Sequence, residues 1–184
     1  MNIIKTDFPG LLILEPKVFG DDRGYFFESY NEKIMHEAGI QTVFRQDNQS
    51  LSKHGVIRGL HFQLNPHSQT KLIRVLEGAI YDVALDLRKG SPTFGKWFGL
   101  ELSAENKRQF YIPQGFAHGF SVLSDQAAIL YKCDNFYHLQ SEGGVRYNDS
   151  MLGIDWKVDA TKSIVSDKDK MLPTFDQVIT NFVY

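Results

Sequence analysis

The sequence predicts an all-β sandwich or barrel. Short apolar and aromatic runs recur along the chain, Gly, Pro, Asn and Asp punctuate them, and almost no helical periodicity interrupts them. The aromatic share, 13% with 14 Phe and 8 Tyr, suits strand packing and leaves rings free to stack on a ligand. At 184 residues the chain can enclose one domain's core, and neither a composition break nor a fixed-period repeat divides it.

In order, Leu11 to Glu15 reads as a strand ended by Pro16. Phe19 to Gly24 reads as a polar turn and Tyr25 to Tyr30 as an aromatic strand bracketed by Arg23 and Glu28, whose simplest role is edge charge. Asn31 to Ala38 predicts a short helix with Ser29 or Asn31 as cap and Gly39 as terminator. Thr42 begins a strand that passes into the amide run Gln46 to Ser50, read as a turn or a polar pocket wall. Lys71 to Glu77 and Ala79 to Arg88 read as a strand pair turning at Gly78. In the second strand Tyr81, Val83, Leu85 and Leu87 share a core face, while Ile80, Asp82, Ala84 and Asp86 face solvent or a polar barrel interior. Further strands are expected at Lys96 to Leu102, Gln109 to Pro113, around His118, and from Ala127 to Cys133. Ser166 to Asp169 fits a capping box, and Pro173 limits any helix there to a short one.

The totals exclude several classes. A net charge of −2 points to neither a nucleic-acid nor a membrane surface. Cys133 is the single cysteine, so neither a disulfide within the chain nor a cysteine-based zinc site is expected. Met1 to Asp7 lacks the pattern of a signal peptide and no apolar run is long enough to span a bilayer, so a cytoplasmic protein is expected.

Gly55 to Gln63 carries the most chemistry. It sets Arg58 and His61 in an otherwise apolar strand, where a cation and a titratable ring need a reason. The two have opposite parity, so a bulge at Gly59 is needed to bring both into one pocket. A nucleophilic hydrolase lacks its Gly-x-Ser-x-Gly elbow, and a phosphate-loop protein its glycine fingerprint. A metal-binding barrel could draw on His61, His118 and either Asp82 or Glu77, but the second histidine of a His-x-His pair is replaced by Gln63. Metal-free proton transfer needs a base, an opposing acid and a cation for developing negative charge. His61, Tyr131 and Lys71 supply those types on three separate segments.

Taken together, Asp22 to Glu28, Gln46 to Asn48, Arg58 to Gln63, Ser91 to Gly95, Ile112 to Phe120, Leu130 to Lys132 and Ser166 to Asp169 resemble the dTDP-4-dehydrorhamnose 3,5-epimerase family. The blocks occur in the family's order and cover nearly the whole chain. The resemblance implies a mainly β, cupin-like jelly roll with a few short peripheral helices, working without metal or cofactor, usually as a homodimer. It implies one epimerase domain over residues 1–184, with a core over roughly 10–150 and residues 151–184 packed on it. The implied substrate is dTDP-4-dehydro-6-deoxy-D-glucose, inverted at C3 and C5. By the same resemblance His61 is the base, Tyr131 returns the proton, and Asp169, or its neighbour Asp167, orients His61. Arg23, Glu28, Gln46, Asn48, Arg58, Lys71, His118, Glu142 and Lys168 contact the nucleotide sugar, and Tyr137 or Phe136 stacks on thymine. Leu139 stands where many relatives carry proline, so the loop beyond Tyr131 is expected to differ.

Overall fold

The computed structural model describes residues 1–184. Alternating runs form two facing antiparallel sheets. The first contains β1 (Asn2–Lys5), β2 (Leu12–Glu15), β5 (Gln46–Lys53), β7 (Lys71–Glu77), β10 (Gln109–Ile112) and β12 (Gln126–Cys133), in the order β1-β2-β10-β7-β12-β5. The second contains β6 (Ile57–Gln63), β8 (Ala79–Asp86), β9 (Trp97–Ser103), β11 (Phe116–Val122) and β13 (Glu142–Gly144), in the order β13-β6-β11-β8-β9. Phe19–Asp21 (β3) and Gly24–Phe26 (β4) form a separate hairpin arm.

Period-two burial fixes what each face meets. Ile73 and Val75 from the first sheet meet Ile80, Ala84 and Phe120 from the second in the barrel interior. The outer face of the second sheet packs Leu60, Val83 and Leu85 against Trp156, Val165 and Phe182 from the C-terminal residues. The outer face of the first packs Leu14, Leu72 and Tyr111 against Met35 and Ile40. Met35 lies on α1 (Glu32–Glu37), whose cap is Asn31, with its side chain accepting from the Ile34 amide.

Several elements differ from the sequence expectation. Lys71–Glu77 and Ala79–Asp86 do not pair: β7 lies between β10 and β12, and β8 between β11 and β9. Gly78, at φ +75°, is a corner where the chain crosses between sheets. The second face of β8 is accordingly barrel interior, with Asp82 and Asp86 both fully buried. The stretch Phe19 to Gly24 supplies strand as well as turn, and of the expected aromatic strand only Tyr25 and Phe26 are strand. The amide run, read as a turn or a polar pocket wall, is no turn but strand β5 itself, because a barrel edge with one wetted face accepts polar residues.

Candidate active site

The bulge at Gly59 organises the site. His61 lies opposite His118 and Arg58 opposite Phe120, so Gly59 and Leu60 together face Gly119. Gly59 adopts φ +116°, and a Cβ there would stand 2.6 Å from the Gly119 Cα and 2.7 Å from the His118 carbonyl oxygen. Only glycine fits. The extra residue turns both Arg58 and His61 into the barrel, where they line one cavity of about 180 Å³ with Lys71, His118 and Tyr131. A second cavity of about 120 Å³ shares His61, Lys71 and Tyr131 and adds Gln69, Tyr137 and Glu142.

His61 is held from behind. Its Nε2 lies 2.8 Å from Asp169 Oδ1, and the other oxygen of Asp169 accepts from the Gly59 amide at 3.1 Å. Asp169 sits on α2 (Asp167–Lys170), whose cap Ser166 accepts from the Asp169 amide through its hydroxyl. Burial alone would raise this carboxyl. Hydrogen bonding and charge from His61, the Gly59 amide and Ser166 outweigh burial and hold it below the usual carboxylate range. Asp167 points to solvent and pairs with Lys170, so Asp169 is the acid that touches His61. With Nε2 engaged, His61 Nδ1 has no protein partner.

His118 has its own acid, Asp82, at 2.5 Å from Nε2. Burial, the leading cause, lowers the His118 pKa against the opposing pull of Asp82. Lys71 makes no ion pair with any carboxylate; burial lowers its pKa, while Cys133, Asp82 and Glu142 pull it back up. Burial raises Tyr131, chiefly, with Cys133 adding and Arg58 opposing, so the phenol stays protonated at neutral pH.

The remaining expected contacts fall into two groups. Gln46 and Asn48 stand beside Cys133 and Tyr131 in register, their amides bonded to each other at 2.9 Å. Glu142 accepts from Lys168 Nζ at 2.6 Å and from the Tyr137 hydroxyl at 2.9 Å, closing one side of the site. Tyr137 lines the smaller cavity and Phe136 does not. Arg23 and Glu28, by contrast, lie outside both cavities. Arg23 is paired with Asp21, and Glu28 accepts from Asn31. Their arm rests Phe27 on Arg74 at 5.3 Å. Arg74 has the opposite parity to the inward Ile73 and Val75, which places the arm on the sheet's outer face.

Gln63 carries a role that the sequence did not suggest. Its amide donates to the carbonyls of His67 and Phe136 and accepts from the His138 amide, tying the two loops beside Tyr137. A glutamine where a metal-binding barrel would place a second histidine is the signal that was there to read. No three His, Cys, Asp or Glu side chains converge as a metal-ligand group.

A jelly-roll barrel with an acid-anchored imidazole and a protonated phenol on one cavity defines a cupin-like fold equipped for proton transfer. The dTDP-4-dehydrorhamnose 3,5-epimerase model matches residues 5–177. The dTDP-4-dehydrorhamnose 3,5-epimerase of Shigella flexneri is 56% identical over 92% of this chain and 93% of its own. The structure of the enzyme from Elizabethkingia anophelis superposes with TM-score 0.91 at 55% identity, covering 96% of this chain and 97% of that one. The 3,5-epimerase from Legionella pneumophila, in complex with dTDP-4-keto-L-rhamnose, gives 0.92 at 49% identity over 97% and 94% of the two chains. The chain belongs to the dTDP-4-dehydrorhamnose 3,5-epimerase family.

Proposed function

We propose that this epimerase acts on dTDP-4-dehydro-6-deoxy-D-glucose, exchanging protons at C3 and C5 to give dTDP-4-dehydro-6-deoxy-L-mannose, with His61 as base and Tyr131 as opposing acid. The observation that carries the assignment is the Nε2 bond between His61 and Asp169, which leaves Nδ1 as a lone-pair base on the cavity that Tyr131 also lines. The C4 ketone acidifies both neighbouring C–H bonds. His61 Nδ1 takes a proton, the bond electrons pass to the C4 oxygen, and the Lys71 ammonium holds that oxyanion. The Asp169 carboxylate stabilises the imidazolium so formed. Tyr131 gives its O–H proton to the opposite face of the carbon as the enolate electrons return, which inverts the centre; the tyrosinate is reprotonated from solvent and the His61 imidazolium releases its proton to solvent.

Arg58 and Lys168 suit the pyrophosphate, Gln46, Asn48, His118 and Glu142 the nucleoside and sugar, and Tyr137 the thymine ring. Arg23 and Glu28 reach the two cavities around His61 only if another copy delivers them, which supports a homodimer in which the exposed arm, with Tyr25 and Phe26 uncovered, crosses to its partner. No helix is long and apolar enough to cross a membrane, in keeping with a cytoplasmic enzyme.

The test is NMR of the ketosugar in D2O with metal-stripped native protein and with His61→Ala. Deuterium should enter both C3 and C5 with the native chain and be lost by about a hundred-fold or more in the variant. Label at one carbon makes the chain a single epimerase. Label that requires added metal refutes the mechanism.

A further inference from the structure

Asp82 lies outside both cavities and is fully buried on β8. One of its oxygens bonds His118 Nε2; the other is buried with no hydrogen-bond partner. The carboxylate therefore serves one group. A buried carboxylate acceptor draws the imidazole proton onto Nε2, and a neutral ring with Nε2–H has a bare lone pair on Nδ1. His118 lines the sugar cavity, and its Nδ1 is neither bonded to protein nor sealed from it.

We propose that Asp82 is a positioning residue that fixes His118 as the Nε2–H tautomer, so that this wall of the pocket is an acceptor and selects sugars bearing a ring hydroxyl opposite it. The ligand class follows from the donor–acceptor count. Arg58 and Lys71 on the same cavity only donate, and Tyr131 is committed to giving its proton. His61 Nδ1 is committed to taking the substrate proton, so His118 Nδ1 is, beside the Ser50 hydroxyl, the cavity's uncommitted neutral acceptor. Burial of His118 keeps the ring uncharged near neutral pH, as an acceptor requires. A pocket built to accept from a hydroxyl rejects the deoxy analogue by leaving that acceptor dry and unpaired. This selectivity rests on the nucleotide-sugar reading above, whereas the tautomer does not.

Two measurements decide it. The first is 15N NMR of the histidines in the full native chain at pH 7.5. His118 should show a protonated Nε2 and an unprotonated Nδ1; a proton on Nδ1, or on both nitrogens, overturns the proposal. The second compares binding of dTDP-glucose with its 2-deoxy-2-fluoro and 3-deoxy-3-fluoro forms, none of which carries the reactive ketone; fluorine can accept weakly but cannot donate as a hydroxyl does. One fluoro form should bind the native chain about ten-fold more weakly. In Asp82→Asn that penalty should shrink to about two-fold or less, with KM raised and kcat held, because an amide can donate to Nε2 and move the ring proton to Nδ1, which then donates to either substituent. Equal binding of all three sugars to the native chain overturns the proposal even if Asp82→Asn does not fold. Failure of the native chain to turn over the ketosugar refutes the function proposed above, a separate result from a misplaced His118 proton.

Discussion

Replacing Asp169 by Asn tests the site at its most constrained point. The native carboxylate accepts twice, from His61 Nε2 at 2.8 Å and from the Gly59 amide at 3.1 Å. An asparagine has one acceptor oxygen and one donor group, so it cannot serve both. If its oxygen keeps Gly59, its NH2 faces His61 Nε2, and the imidazole proton moves to Nδ1. The base then has no lone pair toward the sugar. If its oxygen keeps His61 instead, its NH2 confronts the Gly59 N–H inside the barrel wall, and two donors meet. The first arrangement forfeits general-base help of about 100- to 10,000-fold. The second leaves a buried donor unmet at a cost of about 1–3 kcal/mol. Asp169 is 4% exposed, so solvent does little to relieve either. The expected outcome is a fall of at least about a hundred-fold in deuterium uptake at both carbons. The melting temperature should drop by about 4–8 °C if the loss is about 2 kcal/mol. The pH dependence has a definite sign. Because the folded Asp169 pKa lies below its ordinary value, its contribution is present above about pH 4 and is lost as pH falls through the folded pKa. The stability gap between native and variant should therefore narrow toward acid. Exchange within about three-fold of native at both carbons would refute the role given to Asp169, since general-base help is worth far more than that.

Backbone strain and burial give three further outcomes. Gly59→Ala forces a Cβ against the Gly119 and His118 backbones at positive φ, so it should cost about 2–5 kcal/mol and lower both dTDP affinity and exchange rate. Gly153→Ala, with positive φ but open space, is the control and should cost about 1 kcal/mol, read by thermal melting and dTDP titration. Burial, partly offset by Lys71, pushes the Cys133 thiol up to about 11. Thiol-directed alkylation at pH 8 should therefore leave native protein unlabelled and proceed on addition of denaturant; rapid labelling of the folded chain would contradict the buried environment.

Strand alternation and glycine spacing made the fold class legible, and the parity conflict between Arg58 and His61 located the bulge. Alternation says which side chains share a face but not which sheet a strand joins. A glycine at positive φ serves a hairpin and a corner equally, which is why Gly78 read as a turn between paired strands. The amide run misled for a related reason: Gln46 and Asn48 are poor strand formers alone, and pairing with β12 overrides that preference. Arg23 and Glu28 were expected at the site, but linear order cannot say that the arm carrying them lies outside both cavities of its own chain. Gln63 was legible as an amide and illegible as a clamp, because its partners lie at His67, Phe136 and His138.

The two histidines show how burial separates roles that local chemistry would leave equal. They face each other across neighbouring strands, and each is bonded at Nε2 to one carboxylate. The His61 side chain is 32% exposed, whereas that of His118 is 9% exposed. A ring that must accept a proton and release it needs access to water and a partner that tolerates the charged state. Asp169 provides that tolerance through a second bond to Gly59 and a capped helix turn. A ring that only accepts a hydrogen bond needs the reverse, and that is the setting of His118: deep burial and a carboxylate with no other hydrogen-bond donor. Moving the proton-accepting ring inward would depress its basicity, and moving the hydroxyl acceptor outward would let it charge and turn donor. His61 follows the Gly59 bulge and takes its carboxylate from α2, whereas His118, its register partner, takes its own from the neighbouring strand β8.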